Sequence, residues 1–159
     1  MDPATWAAAL EASALGQWMR GDAWAYPVVN VLHLFGLTLL VGPIVLLDLR
    51  LLGAGRAFPL AATSRVLTAW AIAGLLVLLP SGSALFAADA GALLANPAMR
   101  FKLIAITLAL TNAIAFRWLW SSHIAHWDQA PPPLGRLQAL LSIVLWLAIP
   151  VAGRMIAYV

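Results

Sequence analysis

Cysteine and charged residues are what this sequence has least of. Its 159 residues include no cysteine, and only 9% of them are charged, whereas a soluble domain carries about 25%. The absence of cysteine excludes disulfides, thiolate zinc sites, iron–sulfur clusters and a cysteine nucleophile. The net charge of +3 rests on few residues and forms no basic cluster interleaved with aromatics, so nucleic acid is not an expected partner.

Apolar residues dominate instead, and they form four long runs. Hydrophobic residues make up 64% of the chain, and the mean hydropathy is +0.93. A membrane-crossing helix needs roughly 20 apolar residues, and such runs predict spans at about 26–49, 65–88, 100–120 and 136–158. Because short loops join them, the expected fold is all-α, with residues 1–159 forming one antiparallel four-helix bundle in the lipid bilayer.

The segment before the first span, residues 3–19, is predicted to be a short amphipathic helix. Trp6, Leu10 and Trp18 can share one side of it, and Pro3 suits a first turn. Such a helix would lie in the membrane interface. A loosely attached N-terminal arm is the alternative, since chain termini are commonly mobile.

Proline and tryptophan give finer expectations. Pro80 predicts a break in the second span, and the three prolines within 121–136 predict an extended connector. Trp70 and Trp146 fall deeper in their spans, so we expect them in the core or lining a pocket. The tryptophans expected in an aromatic belt at the membrane interfaces are Trp18, Trp24, Trp118, Trp120 and Trp127.

Arginine positions predict the orientation. The first and third connections and the span ends beside them carry more positive charge than the opposite side, which has Arg20 and Arg100. By the positive-inside rule this predicts that both termini lie outside the cytoplasm. The arginines on the predicted cytoplasmic side are Arg50, Arg56, Arg65, Arg117 and Arg136.

Polar residues inside three of the spans converge on the predicted outer half. His33 lies about 10 Å below the outer edge at 1.5 Å per residue, and an ionisable residue at membrane depth marks a functional hypothesis. Lys102 and Arg154 reach the same depth from the third and fourth spans. The residues predicted to bind a cofactor here are Tyr26, Asn30, His33, Lys102, Arg154 and Tyr158.

This site is expected to be positive, with no buried acid among the spans to neutralise Lys102 and Arg154. An anionic ligand with a centre that His33 can bind would suit it, and haem b fits because imidazole is a common axial ligand and propionates bind Arg or Lys. In the plainer alternative, the cations snorkel to the surface and His33 is a hydrogen-bonded structural residue. Gly36, one turn away, gives room either for a flat macrocycle or for close helix packing.

Three other groups of polar residues receive plainer predictions. Asp48 and Arg50 are expected to form an ion pair that fixes the turn at the end of the first span. Ser81 is not expected to face a histidine, so no hydrolytic site is predicted. His123 and His126, with an acid nearby, have a spacing that can bind copper or zinc, but interfacial histidines without a metal are favoured because the spacing is loose.

A set of short motifs extends from the first span to the last. They are His33-x-x-Gly36, Gly42, the run Asp48-Leu49-Arg50-Leu51-Leu52-Gly53, Gly82-x-x-Leu85-Phe86, Asn96-Pro97-x-x-Arg100-Phe101-Lys102-Leu103, Asn112 and Gly153-Arg154-Met155-Ile156-Ala157-Tyr158. Together these motifs resemble a family of uncharacterised bacterial four-span membrane proteins, known as a domain of unknown function. The resemblance covers nearly the whole chain but implies no established activity.

More distantly, the arrangement of spans and of their polar residues is similar to that of the HemJ-type protoporphyrinogen oxidases and the CopD copper-resistance proteins. In the HemJ type a first-span histidine and a third-span lysine matter for haem binding and activity, and His33 and Lys102 match those positions. The chain departs from that type in having Asp48-Leu-Arg50 where a proline–arginine pair is expected. The resemblance thus implies a haem site more strongly than it implies oxidation of protoporphyrinogen.

Three functions are therefore expected candidates. The first is an inner-membrane b-type haem protein, acting as a redox enzyme or electron-transfer subunit, with its metal ligand at His33. The second is a CopD-like protein that transports, or assists transport of, a metal or small solute, and the third is a structural membrane subunit without a cofactor. Glycine and alanine on the helices would permit a homodimer or packing against another membrane protein.

Overall fold

The computed structural model describes residues 2–158, and this part of the chain is helical and contains no strand. A short 3-10 helix at Ile124–His126 lies in the last connection. The all-α prediction is confirmed. The helices are α1 (Pro3–Glu11), α2 (Ala14–Gly21), α3 (Ala25–Leu52), α4 (Leu60–Ala88), α5 (Ala90–Ala95), α6 (Pro97–Trp120) and α7 (Pro133–Met155).

The four predicted spans correspond to α3, α4, α6 and α7, which are long and apolar enough to cross a membrane. The 28 residues of α3 extend about 42 Å at 1.5 Å per residue, more than the roughly 30 Å of a hydrocarbon core. Pro97 and Pro133 occupy first turns, where the missing N–H costs nothing, and they help fix the starts of α6 and α7. The chain is a multi-pass membrane protein with a four-helix bundle.

The bundle is closed on three sides and open on the fourth. α3 packs along α4 and against α7, and α7 packs along α6. Among the described helices, α4 and α6 have almost no contact with each other, and we call this open side the α4–α6 slot. We call the half that contains the start of α3 and the end of α7 the terminal half, and the half next to residues 53–59 and 121–132 the loop half.

Glycine allows α3 and α4 to approach closely. A Cβ added to Gly74 would lie 2.5 Å from the backbone nitrogen of Leu40 and 2.7 Å from the carbonyl oxygen of Gly36, closer than real side chains approach. Gly36 in turn faces Gly74. Of the two roles considered for Gly36, the structure therefore shows close helix packing.

α4 runs through Pro80 without the predicted break. The hydroxyl of Ser81 donates to the carbonyl of Val77 at 2.6 Å, and that of Ser83 donates to the carbonyl of Leu79 at 2.8 Å. Both hydroxyls thus bond to carbonyls of the turn around Pro80, and serine side chains near a proline help a membrane helix to tolerate it.

The N-terminal segment forms two helices rather than one, and it is not a loose arm. Ser13 separates α1 from α2 and caps α2 by accepting a hydrogen bond from the Gly16 N–H at 3.3 Å. The Gly91 N–H donates to Glu11 Oε1 at 2.7 Å, and Arg20 Nη1 donates to the carbonyl of Ala88 at 2.9 Å. These bonds attach the segment to the end of α4 and to α5. Its placement in the membrane interface stays a prediction.

The predictions for Trp70, for Trp127 and for the connector are wrong, and the prediction for Trp146 is confirmed. Trp70 is exposed because residues 71 and 74 of the same helix face α3. Trp127 is 1% exposed, and its Nε1 donates to the carbonyl of Leu51 at 2.9 Å, so it belongs to the core and not to a belt. The connector around it folds back over the bundle instead of running extended. Trp146 is buried, as expected.

Candidate functional site

His33 is fixed in the terminal half by a hydrogen bond between α3 and α4. Its Nδ1 lies 3.0 Å from Oγ of Ser81, and that hydroxyl donates its own hydrogen to the carbonyl of Val77. The hydroxyl can therefore accept only from a protonated Nδ1, which leaves a lone pair on Nε2. The prediction that Ser81 faces no histidine is wrong, because α4 continues as a helix through Pro80 and turns Ser81 towards α3.

Glycine makes room for the imidazole on α4. A Cβ added to Gly82 would lie 3.1 Å from Cε1 of His33, tighter than an ordinary contact. The ring of His33 is half-buried, and its Nε2 has no hydrogen-bond partner within residues 2–158. The Nε2 atom of His33 therefore has a fixed orientation and a lone pair that no described residue uses.

Lys102 is the second predicted residue that the structure places at this site. It extends from α6 against α7, where a Cβ added to Gly153 would lie 3.4 Å from its Nζ. Lys102 is close enough to His33 for their charges to interact, and it is half-buried. No described residue forms a hydrogen bond or ion pair with the ammonium group of Lys102. The terminal half thus contains an imidazole that packs against α4 and an ammonium group, unpaired among the described residues, that packs against α7.

The other four predicted residues are not joined to this pair by any described contact. Arg154 Nη2 donates to the hydroxyl of Tyr158 at 2.6 Å, and its guanidinium lies 5.0 Å from the centre of that ring. Successive helix residues point about 100° apart, so Gly153, rather than Arg154, faces Lys102. All four residues are exposed, and the side chains of the other two, Tyr26 and Asn30, make no hydrogen bond with a described residue.

A buried acid lies in the loop half, contrary to the sequence prediction. Asp48 is 6% exposed, the Ser142 hydroxyl interacts with its carboxylate, and its Oδ2 has no hydrogen-bond partner in the described chain. Arg50 does not pair with it. Instead, Arg50 donates to both carboxylate oxygens of Asp128, at 2.8 and 2.6 Å, and to the carbonyl of Phe58 at 2.9 Å. Helix residues two apart do not face each other, so Asp48 points into the bundle and Arg50 points to the last connection.

A cavity of about 400 Å³ adjoins Asp48 and is lined by all four spans. Its polar lining includes Asn112 and Gln138, which are linked by a hydrogen bond of 3.0 Å from Asn112 Nδ2 to the Gln138 carbonyl. Trp146 also lines it, and the Nε1 of Trp146 lacks a partner among the described residues. The sequence prediction missed this cavity. The available signal was a set of polar residues near the same ends of the first, third and fourth spans.

The two remaining histidines lie in the connection at the loop half. His123 Nδ1 is 3.2 Å from the Ser122 hydroxyl, and its ring meets that of Trp120 edge-on at 5.5 Å. The carboxylate of Asp128 is held by Arg50, whose hydrogen bonds lower the pKa of Asp128 below its usual value. Within residues 2–158, no three His, Asp or Glu side chains lie together as a metal site would need.

Comparison with known proteins gives no family for the chain. No protein-family model matches it, and no curated protein or solved structure matches it either. The resemblance to HemJ-type and CopD proteins therefore stays a prediction, and function has to be inferred from the side chains themselves.

Proposed function

We propose that this protein binds haem b in the terminal half of the bundle, with His33 as an axial ligand. The supporting observation is the hydrogen bond between Nδ1 and Ser81, because it fixes the imidazole tautomer that carries a free lone pair on Nε2. Ligand histidines commonly have their second nitrogen held in this way.

Lys102 supplies the positive charge that a haem propionate needs, or the opposite axial ligand. A half-buried ammonium group without a partner is costly in a membrane, and no described acid interacts with Lys102. The missing side chain of Gly153 gives Nζ its place on α7, since a Cβ there would lie 3.4 Å from Nζ. Arg154 is already bonded to Tyr158, so we assign it no direct part in binding.

The open side of the bundle is where a flat apolar group would enter. The α4–α6 slot provides this opening, whereas the room left by Gly82 and Gly153 is occupied by His33 and Lys102 themselves. Bound haem iron would supply one-electron redox chemistry. The roles of this chain's residues would be to ligate through His33, to hold the His33 tautomer through Ser81, and to neutralise negative charge through Lys102. On this basis the protein is a redox enzyme or an electron-transfer subunit.

The proposed orientation rests on the distribution of arginine. Five of the eight arginines lie on the loop half, so the positive-inside rule supports both termini outside the cytoplasm. We place the protein in a bacterial inner membrane, with its termini in the periplasm, on the resemblance to bacterial four-span proteins. The site would then lie in the outer half of the bilayer. Because the chain has no native cysteine, single cysteines at Ala54 and Ala130 can be labelled from either side. Labelling of these two positions from opposite sides would contradict the topology.

Haem reconstitution with Lys102 variants tests the assignment and separates the two roles of the lysine. The purified protein, titrated with haemin and reduced, should show the Soret and visible bands of a ligated b-type haem. Lys102→Arg keeps the charge but cannot ligate. If the lysine holds a propionate, Lys102→Arg should bind normally and Lys102→Ala should lose about 1.5–3 kcal/mol of binding free energy.

If Lys102 is instead an axial ligand, both variants should give a five-coordinate spectrum. Absence of a Soret band in the wild-type protein after titration would contradict the proposal. A protein that retains stoichiometric copper or zinc and no haem would favour the CopD-like transport function. A protein that retains neither would favour a structural subunit.

A further inference from the structure

The cavity in the loop half has a polar end and an apolar end. The polar end is formed by Asp48, Ser142 and Gln138, with Arg65 and Arg117 at the rim. Towards the bundle centre the walls are apolar and include Leu40, Leu75 and Leu110. This arrangement suits an amphiphile rather than a small polar solute. It is separate from His33 and Lys102, neither of which lines the cavity.

Two residues that line the cavity each carry a buried polar atom without a hydrogen-bond partner in residues 2–158, and the two atoms are complementary. Asp48 Oδ2 is an acceptor and Trp146 Nε1 is a donor, and both side chains are more than nine-tenths buried. Buried carboxylates are normally paired. The cation nearest in sequence, Arg50, is held by Asp128 on the outside of the bundle. The structure therefore leaves a place for an external hydrogen-bond donor, preferably a charged one.

The charges of this cavity lie near membrane-headgroup depth. Asp48 is one turn, about 6 Å, from the end of α3. Arg65 lies in the second turn of α4, and Arg117 lies in the last turn of α6, with its Nη1 donating to Thr68 Oγ1 at 3.2 Å. The cavity therefore has one acid that points inward, Asp48, and two exposed cations at its rim, Arg65 and Arg117. Its electrostatic complement is a zwitterion with a buried ammonium and an anion at the rim.

We propose that this cavity binds the headgroup of an aminophospholipid such as phosphatidylethanolamine. The ammonium donates to Asp48 Oδ2, and the phosphate lies towards Arg65 and Arg117, since arginine is suited to phosphate. Trp146, one turn deeper than Ser142, donates from Nε1 to an ester carbonyl below the phosphate. The acyl chains follow the apolar walls and leave through the α4–α6 slot, which is open to the bilayer.

Related headgroups lack part of this chemistry. Phosphatidylcholine has the same net charge but no N–H to donate to Asp48, and phosphatidylglycerol has no cation. Lipid binding should therefore discriminate between headgroups of equal acyl composition, which bulk hydrophobic adsorption does not do. The inference concerns a second site and stands whether or not His33 binds haem.

Native mass spectrometry of the delipidated protein tests this directly. The full chain in detergent is titrated with 1-palmitoyl-2-oleoyl phosphatidylethanolamine, phosphatidylcholine and phosphatidylglycerol in separate experiments. We expect a first molecule of phosphatidylethanolamine to bind with a Kd about tenfold or more below the Kd for phosphatidylcholine, because one charge-assisted hydrogen bond separates them. Equal Kd values for the three lipids would overturn the proposal.

Variants locate the site. Asp48→Asn, which keeps the shape of the side chain, should raise the Kd for phosphatidylethanolamine to that for phosphatidylcholine, and Trp146→Phe should weaken both lipids. Asp89→Asn, at the exposed end of α4, is the matched control and should keep the wild-type preference. An unchanged preference in Asp48→Asn would contradict the assignment. If Asp48→Asn fails to fold, the comparison of the three lipids with the wild-type protein and the Kd values of Trp146→Phe still test the proposal.

Discussion

Replacing Gly74 by alanine tests the packing that positions both α3 and α4. The added Cβ would lie 2.5 Å from the backbone nitrogen of Leu40, and its nearest neighbours are all backbone atoms of α3. Backbone atoms cannot rotate away, so the two helices must separate by about 0.5 Å or more to relieve the clash. A gap of that size forfeits a quarter or more of the dispersion energy of the contacts it opens.

The expected magnitude is the balance of two effects. Overpacking costs about 1–3 kcal/mol, and this site should fall near the upper value because no flexible atom is involved. Alanine recovers about 1 kcal/mol of helix propensity relative to glycine. Gly74→Ala should therefore lower the free energy of unfolding by about 2 kcal/mol in all. It should also disturb the nearby hydrogen bond between Ser81 and His33.

Gly42→Ala is the matched control, because a Cβ added to Gly42 of α3 meets nothing within 4 Å. That variant should be as stable as the wild type or up to about 1 kcal/mol more stable. Reversible unfolding in mixed micelles with increasing sodium dodecyl sulfate, followed by circular dichroism, measures both variants. Equal stability of Gly74→Ala and Gly42→Ala would refute the close approach of α3 and α4.

Two further predictions concern single hydrogen bonds. Ser81→Ala removes the acceptor for His33 Nδ1, so ¹⁵N NMR of the imidazole should show mixed tautomers where the wild type shows one. The free energy of unfolding should fall by about 0.5–1.5 kcal/mol. A single tautomer in the variant would contradict the assignment. Arg50 lowers the pKa of Asp128 below 3.8, so this pair stabilises the fold above about pH 4 and the stabilisation is lost as pH falls through the lowered pKa. Asp128→Asn should therefore lose less stability than the wild type between pH 5 and about pH 2. Unfolding titrations that show the same loss in both proteins over this pH range would contradict the prediction.

The spans could be predicted from the sequence because length and hydropathy alone decide them. The structure places α3, α4, α6 and α7 close to the predicted ranges. The break at Pro80 could not be judged in this way. Whether a proline interrupts a helix in a membrane depends on the packing and hydrogen bonds around it, and here the hydroxyls of Ser81 and Ser83 bond to the carbonyls of Val77 and Leu79 in the adjoining turns.

The positions of the candidate site residues could be predicted only in part, for a geometric reason. Depth follows from residue number along a helix, so His33 and Lys102 could be placed at one level. The direction of a side chain depends on how each helix is rotated about its axis, which the sequence of a nearly all-apolar helix hardly encodes. That rotation turns Arg154 outward and Asp48 inward, so Arg154 lies apart with three other predicted site residues, and a buried acid was missed.

The central claim is that His33 ligates haem, and the absorption spectrum of His33→Ala tests it most directly. The control is the double variant His123→Ala with His126→Ala, which removes the two other histidines of the chain at the loop half. After haemin titration, the double variant should show the wild-type Soret band and His33→Ala should show none above free haem. A full Soret band in His33→Ala, or its loss in the double variant, would contradict the assignment of the axial ligand to His33.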